Sequence, residues 1–375
     1  MSGSQAPRFH LSPSLWFMRL VARAGFQKWA SLLPVSKSLA RRDGAEIFEI
    51  LQGFVKSQAL LALVESDVLS ELLNGPKSAA QLGLSADIPK ESMARLLSAG
   101  VAMKLVRRRR DGRYVLARRG AAVLGVPGLT EMISHNRVLY ADMADPVTLL
   151  RGETETHLAQ FWPYVFGKSG DVSGDMAVRY SKLMAQSQQL VAQDTLQLVN
   201  LRGVTRILDV GGGSGAFLTE VLRRNPNIQA ILLDLPEVMP TAREAFSVAR
   251  LEGRVDLHAG SFRDEALPAG ADAISLIRVL YDHADDVVED LLSKAFNALP
   301  AGGRLIVSEP MSGGERPESA GDIYFNFYTM AMRTGRVRSA SSICRMCQEV
   351  GFVDFLTPRT LRPYVTSVVT CTKPA

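Results

Sequence analysis

The segment RILDVGGGSG at 206–215 has the residue types and spacing to hold a nucleoside-like ligand. Its apolar residues 207–210 predict a buried strand that ends in glycines, and the apolar spacing at 217–222 predicts a helix directly after it. Glycines at a strand end bring bare backbone close to a ligand, and the helix start offers free N–H groups. A second predicted strand, 228–233, ends at Asp234, whose carboxylate can accept hydrogen bonds from both ribose hydroxyls. We therefore predict a site for a nucleoside-containing cofactor.

Further motifs lie where successive strands of one doubly wound sheet are predicted to end. They are Asp234–Val238 (DLPEV), Gly260–Phe262 (GSF), Arg278–His283 (RVLYDH) and Leu305–Pro310 (LIVSEP). A lone glycine-rich turn is a weak signal, because any tight strand-to-helix turn can use one. The series as a whole predicts an α/β, Rossmann-like doubly wound sheet that binds its ligand at the carboxyl ends of its strands.

This series of motifs resembles the class I S-adenosylmethionine-dependent methyltransferases. Within that class the chain looks like the dimeric small-molecule O-methyltransferases, which include the plant phenolic enzymes and acetylserotonin O-methyltransferase. The resemblance extends over residues 44–375. It implies a seven-stranded methyltransferase sheet, an N-terminal helical winged-helix dimerisation domain, a homodimer, S-adenosylmethionine as the cofactor, and no metal.

The resemblance also implies which residues hold the cofactor. They are Asp209, Gly211, Gly213, Asp234, Leu235, Ser261, Phe262 and Arg278. The two glycines would approach the methionine and ribose parts, and Asp234 would bind the ribose hydroxyls. Leu235 and Phe262 would enclose the adenine. Ser261 stands where the family often has an aspartate, so its contact with the adenine amine would be weaker or bridged by water.

The catalytic motif departs from the plant-type pattern. The implied reaction is an in-line displacement at a sulfonium methyl, in which the enzyme mainly aligns donor and acceptor. An oxygen nucleophile must also lose its proton, and plant-type enzymes use a histidine held by glutamates for this. Here Tyr281 stands at the base position and His283 stands where the family has a tryptophan. Glu309 keeps the place of the first supporting glutamate, whereas Val337 takes that of the second.

We therefore name Tyr281, His283 and Glu309 as the candidate catalytic residues. Tyr281 would hydrogen-bond the acceptor or orient it as an amphipathic wall. His283 remains open between a base and a loop histidine with its own partners. An alkyl alcohol is far less acidic than a phenol of pKa about 10, and an electron-rich carbon needs no such base, so the acceptor is the main open question.

Two branches of the family resemble this chain in having a tyrosine at that position. One methylates a tertiary hydroxyl of an acyclic carotenoid, and the other comprises the bacteriochlorophyllide C-methyltransferases. The stretches that look most like the carotenoid branch are Leu15–Arg23, Asp322–Met332 and Arg362–Val365. The aromatic and methionine-rich face within 324–332 suits a long apolar acceptor, with plain core packing as the alternative.

Three hypotheses about function follow. The first is an O-methyltransferase acting on a carotenoid hydroxyl. The second is a methyltransferase acting on another acceptor, namely a bacteriochlorophyllide carbon, a quinone or a polyketide phenol. The third is a winged-helix regulator that senses S-adenosylmethionine without consuming it. Methyl transfer to any acceptor separates the third hypothesis from the other two.

The positive charge of the chain is concentrated at its N-terminus. The net charge is +5, and residues 1–42 hold seven Lys or Arg and no Asp or Glu. An apolar stripe at helical spacing comprises Leu15, Met18, Ala22, Phe26, Trp29 and Leu33. A basic, aromatic-rich amphipathic segment can lie in a membrane interface, although packing on the partner subunit or on its own domain is the simpler alternative. Residues 12–33 are thus a candidate for peripheral contact with the cytoplasmic face of the inner, photosynthetic membrane, in a protein that we expect to be cytoplasmic.

Four segments are predicted along the chain. They are a basic amphipathic arm (1–43), a winged-helix dimerisation domain (44–125), a helical connector that contributes to the acceptor pocket (126–200), and an S-adenosylmethionine-binding catalytic domain (201–375). The connector has helical patterns at 135–139 and 180–198, joined by an aromatic turn at 161–164. Paired terminal strands are expected at 354–357 and 364–372.

The winged helix is predicted from a helix-turn-helix spacing at 79–97 and a hairpin over 101–116 with its tight turn at Asp111–Gly112. The wing is rich in arginine, with Arg107 to Arg110 and Arg113, which would suit DNA phosphates. The same module serves dimerisation in the resembling family, so we do not expect nucleic-acid binding.

The composition suits two packed cores, since the chain has 375 residues of which 47% are hydrophobic. Three cysteines are too few for a disulfide framework, and Cys344 and Cys347 form a C-x-x-C without a second pair, so we expect plain thiols. No apolar run approaches the ~20 residues that a spanning helix needs. The early apolar segment carries arginines, so we expect no signal peptide.

Overall fold

The computed structural model describes residues 13–161, apart from 31 and 33, and residues 188–375. The chain divides into two compact units, Met1–Ala121 and Ala122–Ala375. The finer division into four segments stays a prediction. The predicted aromatic turn beyond residue 161 and the first part of the helix predicted at 180–198 lie outside the described residues, whereas 188–198 are helical.

The first unit is a set of helices followed by a small hairpin. Its elements are α1 (Pro13–Val21), α2 (Ala24–Ala30), α3 (Pro34–Leu51), α4 (Gly53–Glu65), α5 (Val68–Leu73), α6 (Ala79–Ser85), α7 (Lys90–Ala102), β1 (Val106–Arg108) and β2 (Tyr114–Leu116). Helix α6 begins with a capping box, in which Ser78 and Gln81 each accept a hydrogen bond from the other's backbone N–H. The side chains of Leu63, Leu82 and Met93 are fully buried and belong to the core of this first unit.

The hairpin was predicted to begin at residue 101, and this is wrong. Val101 and Ala102 continue α7, and the first strand begins at Val106. The longer helix is terminated just beyond Ala102 by Lys104, which has φ of +61°, and the N–H groups of Lys104 and Leu105 donate to the carbonyls of Val101 and Gly100. The predicted turn at Asp111–Gly112 does join the two strands, and Gly112 has φ of +81°.

An apolar surface lies at the end of α3 and the start of α4. It comprises Ile47, Phe48, Ile50, Leu51, Phe54 and Val55, each more than half exposed in the single chain. Exposed apolar patches of this kind mark interaction sites. Among the described residues, no single helix has the length and apolar character to cross a membrane; the pair Lys37–Leu51 and Gly53–Glu65, bent by 46°, meets that test by length and composition alone.

The second unit is built on a seven-stranded sheet. Its strands are β3 (Arg206–Val210), β4 (Gln229–Asp234), β5 (Val255–Ala259), β6 (Ala273–Ile277), β7 (Arg304–Glu309), β8 (Val353–Leu356) and β9 (Ser367–Thr372). Their order is β5-β4-β3-β6-β7-β9-β8, and β9 runs antiparallel to both of its neighbours. The predicted Rossmann-like doubly wound sheet is confirmed. The strand order reverses between β3 and β6, which is where such sheets bind ligands.

Helix α8 (Arg118–Gly125) joins the units, and further helices belong to the second. They are α9 (Leu129–Asp142), α10 (Pro146–Leu150), α11 (His157–Phe161), the described part of α12 (188–198), α13 (Ala216–Arg224), α14 (Met239–Ala249), α15 (Asp285–Ala298), α16 (Asn326–Met332) and α17 (Ala340–Val350). Two apolar cores contain the sheet's buried residues, and a third cluster gathers residues of α9, α10, α11 and α16. A π-helical stretch, Ser319–Phe325, leads directly into α16.

The last predicted strand begins later than expected, at Ser367 rather than at 364. Residues 362–366 form a turn, in which the N–H groups of Val365 and Thr366 donate to the carbonyl of Arg362. The guanidinium of Arg362 is held by Asp194, with Nε 2.8 Å from Oδ2. This ion pair fixes the turn and prevents an earlier start of the strand.

The cysteines are free thiols, as expected from their spacing. Cys347 is buried on α17 and Cys371 is buried on β9, where both belong to the same apolar core. No group of three or more metal-binding side chains occurs among the residues that the structure describes.

Candidate active site

The glycine turn after β3 forms an open cradle beside Asp234. The N–H of Gly213 donates to Oδ2 of Asp234 at 2.7 Å, and the N–H of Leu235 donates to Oδ1 at 2.7 Å. Gly211 and Gly213 have φ of +66° and +57°, a conformation that favours glycine. Among the residues that the structure describes, none has an atom within 4 Å of a Cβ at Gly213, so the missing side chain leaves clear space beside the turn.

Gly215 serves packing at the end of the same turn. It has φ of +76°, and a Cβ there would lie 2.2 Å from the ring of Phe246 on α14. The close approach of this ring sets where α13 begins. Gly215 is therefore needed for helix packing, and a Cβ at Gly211 or Gly212 would lie within about 3 Å of neighbouring side chains, whereas Gly213 faces open space among the described residues. The sequence did not reveal this distinction.

Asp209 lies beneath the glycine turn. Its Oδ1 accepts a 2.6 Å hydrogen bond from the hydroxyl of Ser275 on β6. Its Oδ2 is buried and has no hydrogen-bond partner among the described residues. Burial raises the pKa of Asp209 to about 7, and the charge of Asp234 acts in the same direction. An approaching donor group would satisfy this oxygen, so Asp209 fits the cofactor site at which the sequence placed it.

The residues expected to hold the adenine follow neighbouring strands. Asp234 pairs with Ala259, the last residue of β5, so Ser261 and Phe262 come next to it at the edge of the sheet. The Ser261 oxygen accepts the N–H of Arg263 at 3.2 Å, which leaves the hydroxyl proton to donate elsewhere. Leu235 directly follows Asp234 and is half-buried. The structure therefore brings these four predicted cofactor residues together.

His283 contacts the predicted cofactor side of the site. Arg263 Nη2 donates to its Nδ1 at 2.9 Å, and its ring meets Phe262 edge-on with centroids 5.3 Å apart. Burial, together with the positive charges of Arg263 and Arg338, lowers the pKa of His283 to about 4. The imidazole is thus neutral at physiological pH and has its own partners, which favours the loop-histidine alternative.

Tyr281 lies against an aromatic cluster that comprises Tyr324, Phe325 and Tyr328. It lies in the single helical turn Leu280–Asp282 after β6, and its ring meets Phe325 edge-on at 6.5 Å. The guanidinium carbon of Arg278 lies 5.7 Å from the centroid of the Tyr281 ring. Burial raises the pKa of Tyr281 well above its ordinary value, so the phenol stays protonated and acts as a hydrogen-bond donor.

Arg278 has an unusual backbone at the end of β6, with φ of +58°. Its N–H donates to the carbonyl of Ser308 at 2.8 Å, which extends the pairing of β6 with β7 by one residue. The sequence placed Arg278 at the cofactor, and the structure directs its guanidinium to the ring of Tyr281. Strained conformations of this kind cluster at functional sites.

Glu309 anchors the turn that carries Tyr281. It is fully buried at the end of β7, and its Oε2 accepts the N–H of Tyr281 at 3.0 Å. Burial raises the pKa of Glu309 to about 7, although the hydrogen bonds from the backbone of Tyr281 and Leu280 oppose this shift. The carboxyl group therefore fixes the backbone of the turn and does not orient a histidine.

Arg338 is a residue of this site that sequence reasoning missed. Its buried guanidinium donates to the carbonyls of Leu280 and His283 at 2.8 and 2.9 Å and to Asp285. Val337 beside it is buried, at the place of the second supporting glutamate. An arginine thus holds the catalytic turn from the segment that supplies a glutamate in plant-type enzymes. In the sequence, the only indication of Arg338 was its place in the segment GRVRS at 335–339.

Two further polar residues, His135 and Asn136 on α9, were also missed. The hydroxyl of Tyr328 lies 2.9 Å from Nε2 of His135, and the hydroxyl of Tyr324 donates to Oδ1 of Asn136 at 2.6 Å. Both tyrosines belong to the aromatic face that the sequence proposed for an apolar acceptor. The signal for their partners was weak, since it consisted of two polar residues within a helical pattern.

The fold and the candidate site are those of a class I methyltransferase. They combine a doubly wound sheet, a glycine cradle beside a strand-end carboxylate, and aromatic side chains near the turn after β6. The chain belongs to the O-methyltransferase family: the model of the O-methyltransferase domain matches residues 140–353, and that of the O-methyltransferase dimerisation domain matches residues 48–125. The predicted membership in the S-adenosylmethionine-dependent O-methyltransferases is confirmed, and the dimerisation domain supports the predicted homodimer.

Two relatives match almost the whole chain. The chain is 51% identical over 358 residues to demethylspheroidene O-methyltransferase of Cereibacter sphaeroides, covering 96% of this chain and 94% of that protein. It is 48% identical over 354 residues to the enzyme of the same name from Rhodobacter capsulatus, covering 94% and 88%. The crystal structure of human N-acetylserotonin methyltransferase in complex with SAM has the same fold, with a TM-score of 0.74 at 22% identity over 89% of this chain and 98% of that one.

Proposed function

We propose that this protein transfers the methyl group of S-adenosylmethionine to a tertiary hydroxyl of an acyclic carotenoid. The observation that carries the proposal is the likeness of 51% over nearly the full chain to a demethylspheroidene O-methyltransferase. The departure of the site from the histidine and glutamate pattern supports the same conclusion, because that apparatus suits an acidic phenol. An aliphatic hydroxyl needs mainly to be aligned with the methyl group, and it loses its proton late in the displacement.

The residues at the ends of β3, β4 and β5 fit the nucleoside-containing cofactor. Gly213 leaves open space for a close approach, and the carboxylate of Asp234 is already oriented by two backbone N–H groups. Asp209 presents a buried oxygen without a partner among the described residues. When bound, S-adenosylmethionine supplies a methyl group that is activated by a positively charged sulfur. Leu235 and Phe262 would enclose the adenine.

The chain's own contribution lies in orienting the acceptor. Glu309 and Arg338 fix the backbone on either side of Tyr281, so that its ring is held against Phe325. The ring of Tyr281 would orient the acceptor as an amphipathic wall, and the surrounding aromatic side chains would exclude water from an apolar acceptor. Such positioning supplies a large part of the rate of a displacement between two bound molecules.

An acceptor panel tests the proposal. Purified protein is given labelled S-adenosylmethionine with a 1-hydroxy acyclic carotenoid in detergent, a bacteriochlorophyllide, or a simple phenol, and the label is followed by chromatography and mass spectrometry. We expect label in a methoxy carotenoid. Label in the tetrapyrrole or the phenol instead would overturn the carotenoid acceptor. Tight donor binding without transfer to any acceptor would support the regulator hypothesis.

We further propose that α1 and α2 bind the surface of an anionic membrane at its cytoplasmic face. Trp16 and Trp29 are 72% and 55% exposed, and Leu15, Phe17 and Met18 are also exposed. These side chains lie in a segment whose charged residues are all basic, which complements anionic head groups. A peripheral arm would bring the enzyme to the place where long apolar acceptors dissolve.

Vesicle flotation tests this arm. We expect the protein to float with vesicles containing anionic lipid and much less with zwitterionic vesicles, and Trp16→Ser to weaken flotation. Leu84→Ser is the matched control, because Leu84 is an equally exposed apolar residue outside the arm. Equal flotation of both variants would contradict the proposal. It would also be contradicted if dimer formation protects α1 and α2 from proteolysis but added vesicles do not.

A further inference from the structure

Two hydrogen bonds join α9 to the segment that leads into and forms α16, within an otherwise apolar cluster. Tyr328 bonds to His135, and Tyr324, one helical turn earlier, bonds to Asn136. The cluster around them includes aliphatic side chains of α9, α10 and α11. Burying hydroxyl and imidazole groups costs free energy unless they pair with each other, so these pairs are built features of the site.

The pair His135–Tyr328 is suited to move a proton. Burial lowers the pKa of His135 to about 4, so its ring is neutral at physiological pH. With the ring proton on Nδ1, Nε2 accepts the hydroxyl proton of Tyr328 across 2.9 Å. The oxygen of Tyr328 can then accept a further hydrogen bond from another hydroxyl. The Asn136–Tyr324 pair has similar geometry, but an amide cannot take up a proton.

Tyr328 belongs to the same aromatic group as Tyr281. The ring of Tyr324 stacks on Tyr328 at 6.1 Å and meets Phe325 edge-on at 5.0 Å, and Phe325 in turn meets Tyr281. A negative charge on Tyr281 would raise the pKa of Tyr328, in addition to the larger effect of burial, so the two phenols interact electrostatically. The pair thus lies beside the turn that ends β6, on the ligand-binding edge of the sheet.

We propose that Tyr328 binds the acceptor hydroxyl and passes its proton to His135; this inference rests on the proposed function. The acceptor oxygen uses a lone pair to form the bond to the methyl carbon, while the C–S bond breaks and its electron pair stays on sulfur. The hydroxyl proton moves to the oxygen of Tyr328, and the proton of Tyr328 moves to Nε2 of His135. The products are a neutral ether, a neutral thioether and an imidazolium, which later returns its proton to water.

A weak base is adequate for this step. The hydroxyl of a tertiary alcohol becomes strongly acidic as its oxygen gains the bond to carbon, so it loses its proton late in the displacement. A neutral imidazole can accept that proton even though burial lowers its basicity. The pair therefore fills the role left open by the missing histidine at the position of Tyr281.

Single-turnover kinetics on the full-length enzyme test the pair, with donor and hydroxy carotenoid both saturating. Tyr328→Phe removes the hydroxyl, and His135→Gln keeps a hydrogen-bond acceptor but no basic nitrogen. We expect each variant to slow methyl transfer about 100-fold, with the double variant no slower than either. Tyr324→Phe is the matched control, since it removes a buried hydroxyl from the same helical segment, and we expect a loss of no more than about tenfold.

Equilibrium measurements separate this role from a structural one. Each variant is melted thermally and titrated with S-adenosylhomocysteine, and its tryptophan quenching is compared for the hydroxy carotenoid and for its analogue without the hydroxyl. We expect unchanged cofactor affinity and loss of the preference for the hydroxyl in Tyr328→Phe alone. If Tyr328→Phe fails to fold, the rate of methyl transfer by His135→Gln alone tests the role of the pair.

If wild-type enzyme is active and both variants transfer methyl as fast as Tyr324→Phe, the proton-transfer role of Tyr328 and His135 is wrong. The proposed function would then remain intact. A wild-type enzyme that methylates no hydroxyl would instead overturn the proposed function, and the pair's role with it.

Discussion

At the scale of single residues, the donor site depends on carboxylates with fixed partners. Asp234 accepts two backbone N–H groups at the end of β4, and Asp209 keeps one buried oxygen without a partner among the described residues. At the turn after β6, Glu309 and Arg338 bond to the backbone around Tyr281. Buried charged groups therefore fix the backbone of both parts of the candidate site.

Asp234→Asn tests the donor contact. The amide cannot accept on both sides, so one of the N–H groups of Gly213 and Leu235 loses its partner, and the ribose hydroxyls lose a charged acceptor. We expect the dissociation constant of S-adenosylhomocysteine to rise about 10- to 100-fold, measured by calorimetry. Glu289→Gln, which removes an exposed carboxylate on α15, is the control and should leave the constant unchanged.

Glu309→Gln tests the buried carboxyl through pH. Because the folded pKa of about 7 lies above the ordinary value of 4.5, the unfolded chain loses this proton first. Wild-type stability is thus fully present below about pH 4.5 and declines as pH rises through about pH 7. We expect the melting temperature of the variant, relative to wild type, to be higher at about pH 8 than at about pH 5. A difference that does not change with pH would contradict the raised pKa.

The placement of the glycine turn beside Asp234 could be predicted from sequence, because a strand end, a glycine turn and a carboxylate are local features. Arg338 and His135 were not predictable, because each acts through partners far along the chain: His135 and Tyr328 are 193 residues apart. The absence of the second glutamate was visible in the sequence, but the bonds of Arg338 to the turn that carries Tyr281 were visible only in the fold.

At the scale of elements, the turns at strand ends decide where ligands are bound. The glycine turn follows β3, and the Tyr281 turn follows β6, the strand on the other side of the point where the order reverses. Several strands could be predicted from apolar runs, and the seven-stranded sheet was implied by the family resemblance. The start of the hairpin and of β9 could not be predicted, since the turn at Lys104 and the ion pair of Arg362 with Asp194 set them.

Gly213→Ala tests the cradle. Both Gly213 and Gly203 have positive φ and open space where a Cβ would lie. Replacement by alanine should therefore lower stability by about 1 kcal/mol at either position. Only Gly213→Ala should also weaken S-adenosylhomocysteine binding, because its methyl group would enter the cofactor site. Equal binding by both variants would mean that the cradle is not the cofactor site.

Arg338→Met tests the support of the catalytic turn. The side chain of Arg338 is 2% exposed, and its loss removes the side-chain donor of the His283 carbonyl and leaves the Leu280 carbonyl with only the N–H of His283. We expect a loss of about 3 kcal/mol in the free energy of unfolding. Arg336→Met is the control, because Arg336 pairs with the same Asp285 but is 68% exposed, and it should cost at most about 1 kcal/mol. Similar losses in urea titrations would contradict this account.

At the scale of the whole molecule, an exposed apolar face on α3 and α4 accompanies a match to the O-methyltransferase dimerisation domain. The broad apolar pattern of these helices was visible in the sequence. Its exposure was not, because a pattern of apolar residues does not say whether the same chain or a second copy covers them. The arm carries a further exposed surface, which differs in being basic.

Phe54→Asp tests the dimer face. A carboxylate at this exposed position would be buried in both copies of a symmetric interface, so we expect the dimer to dissociate at least about 100-fold more readily. Sedimentation velocity over a range of concentrations measures this change. Val248→Asp, at an even more exposed apolar residue on α14, is the control. A dimer of unchanged stability in the Phe54 variant would place the interface elsewhere.

Methyl transfer to oxygen is tested by the position of a labelled methyl group in the product. Wild-type protein is incubated with S-adenosylmethionine carrying a ¹³C-methyl group and with a 1-hydroxy acyclic carotenoid, and the purified product is examined by carbon NMR. We expect one enriched methoxy carbon attached to the former hydroxyl. Enrichment of a methyl group bonded to carbon, or an unlabelled carotenoid recovered from protein that binds the donor tightly, would contradict it.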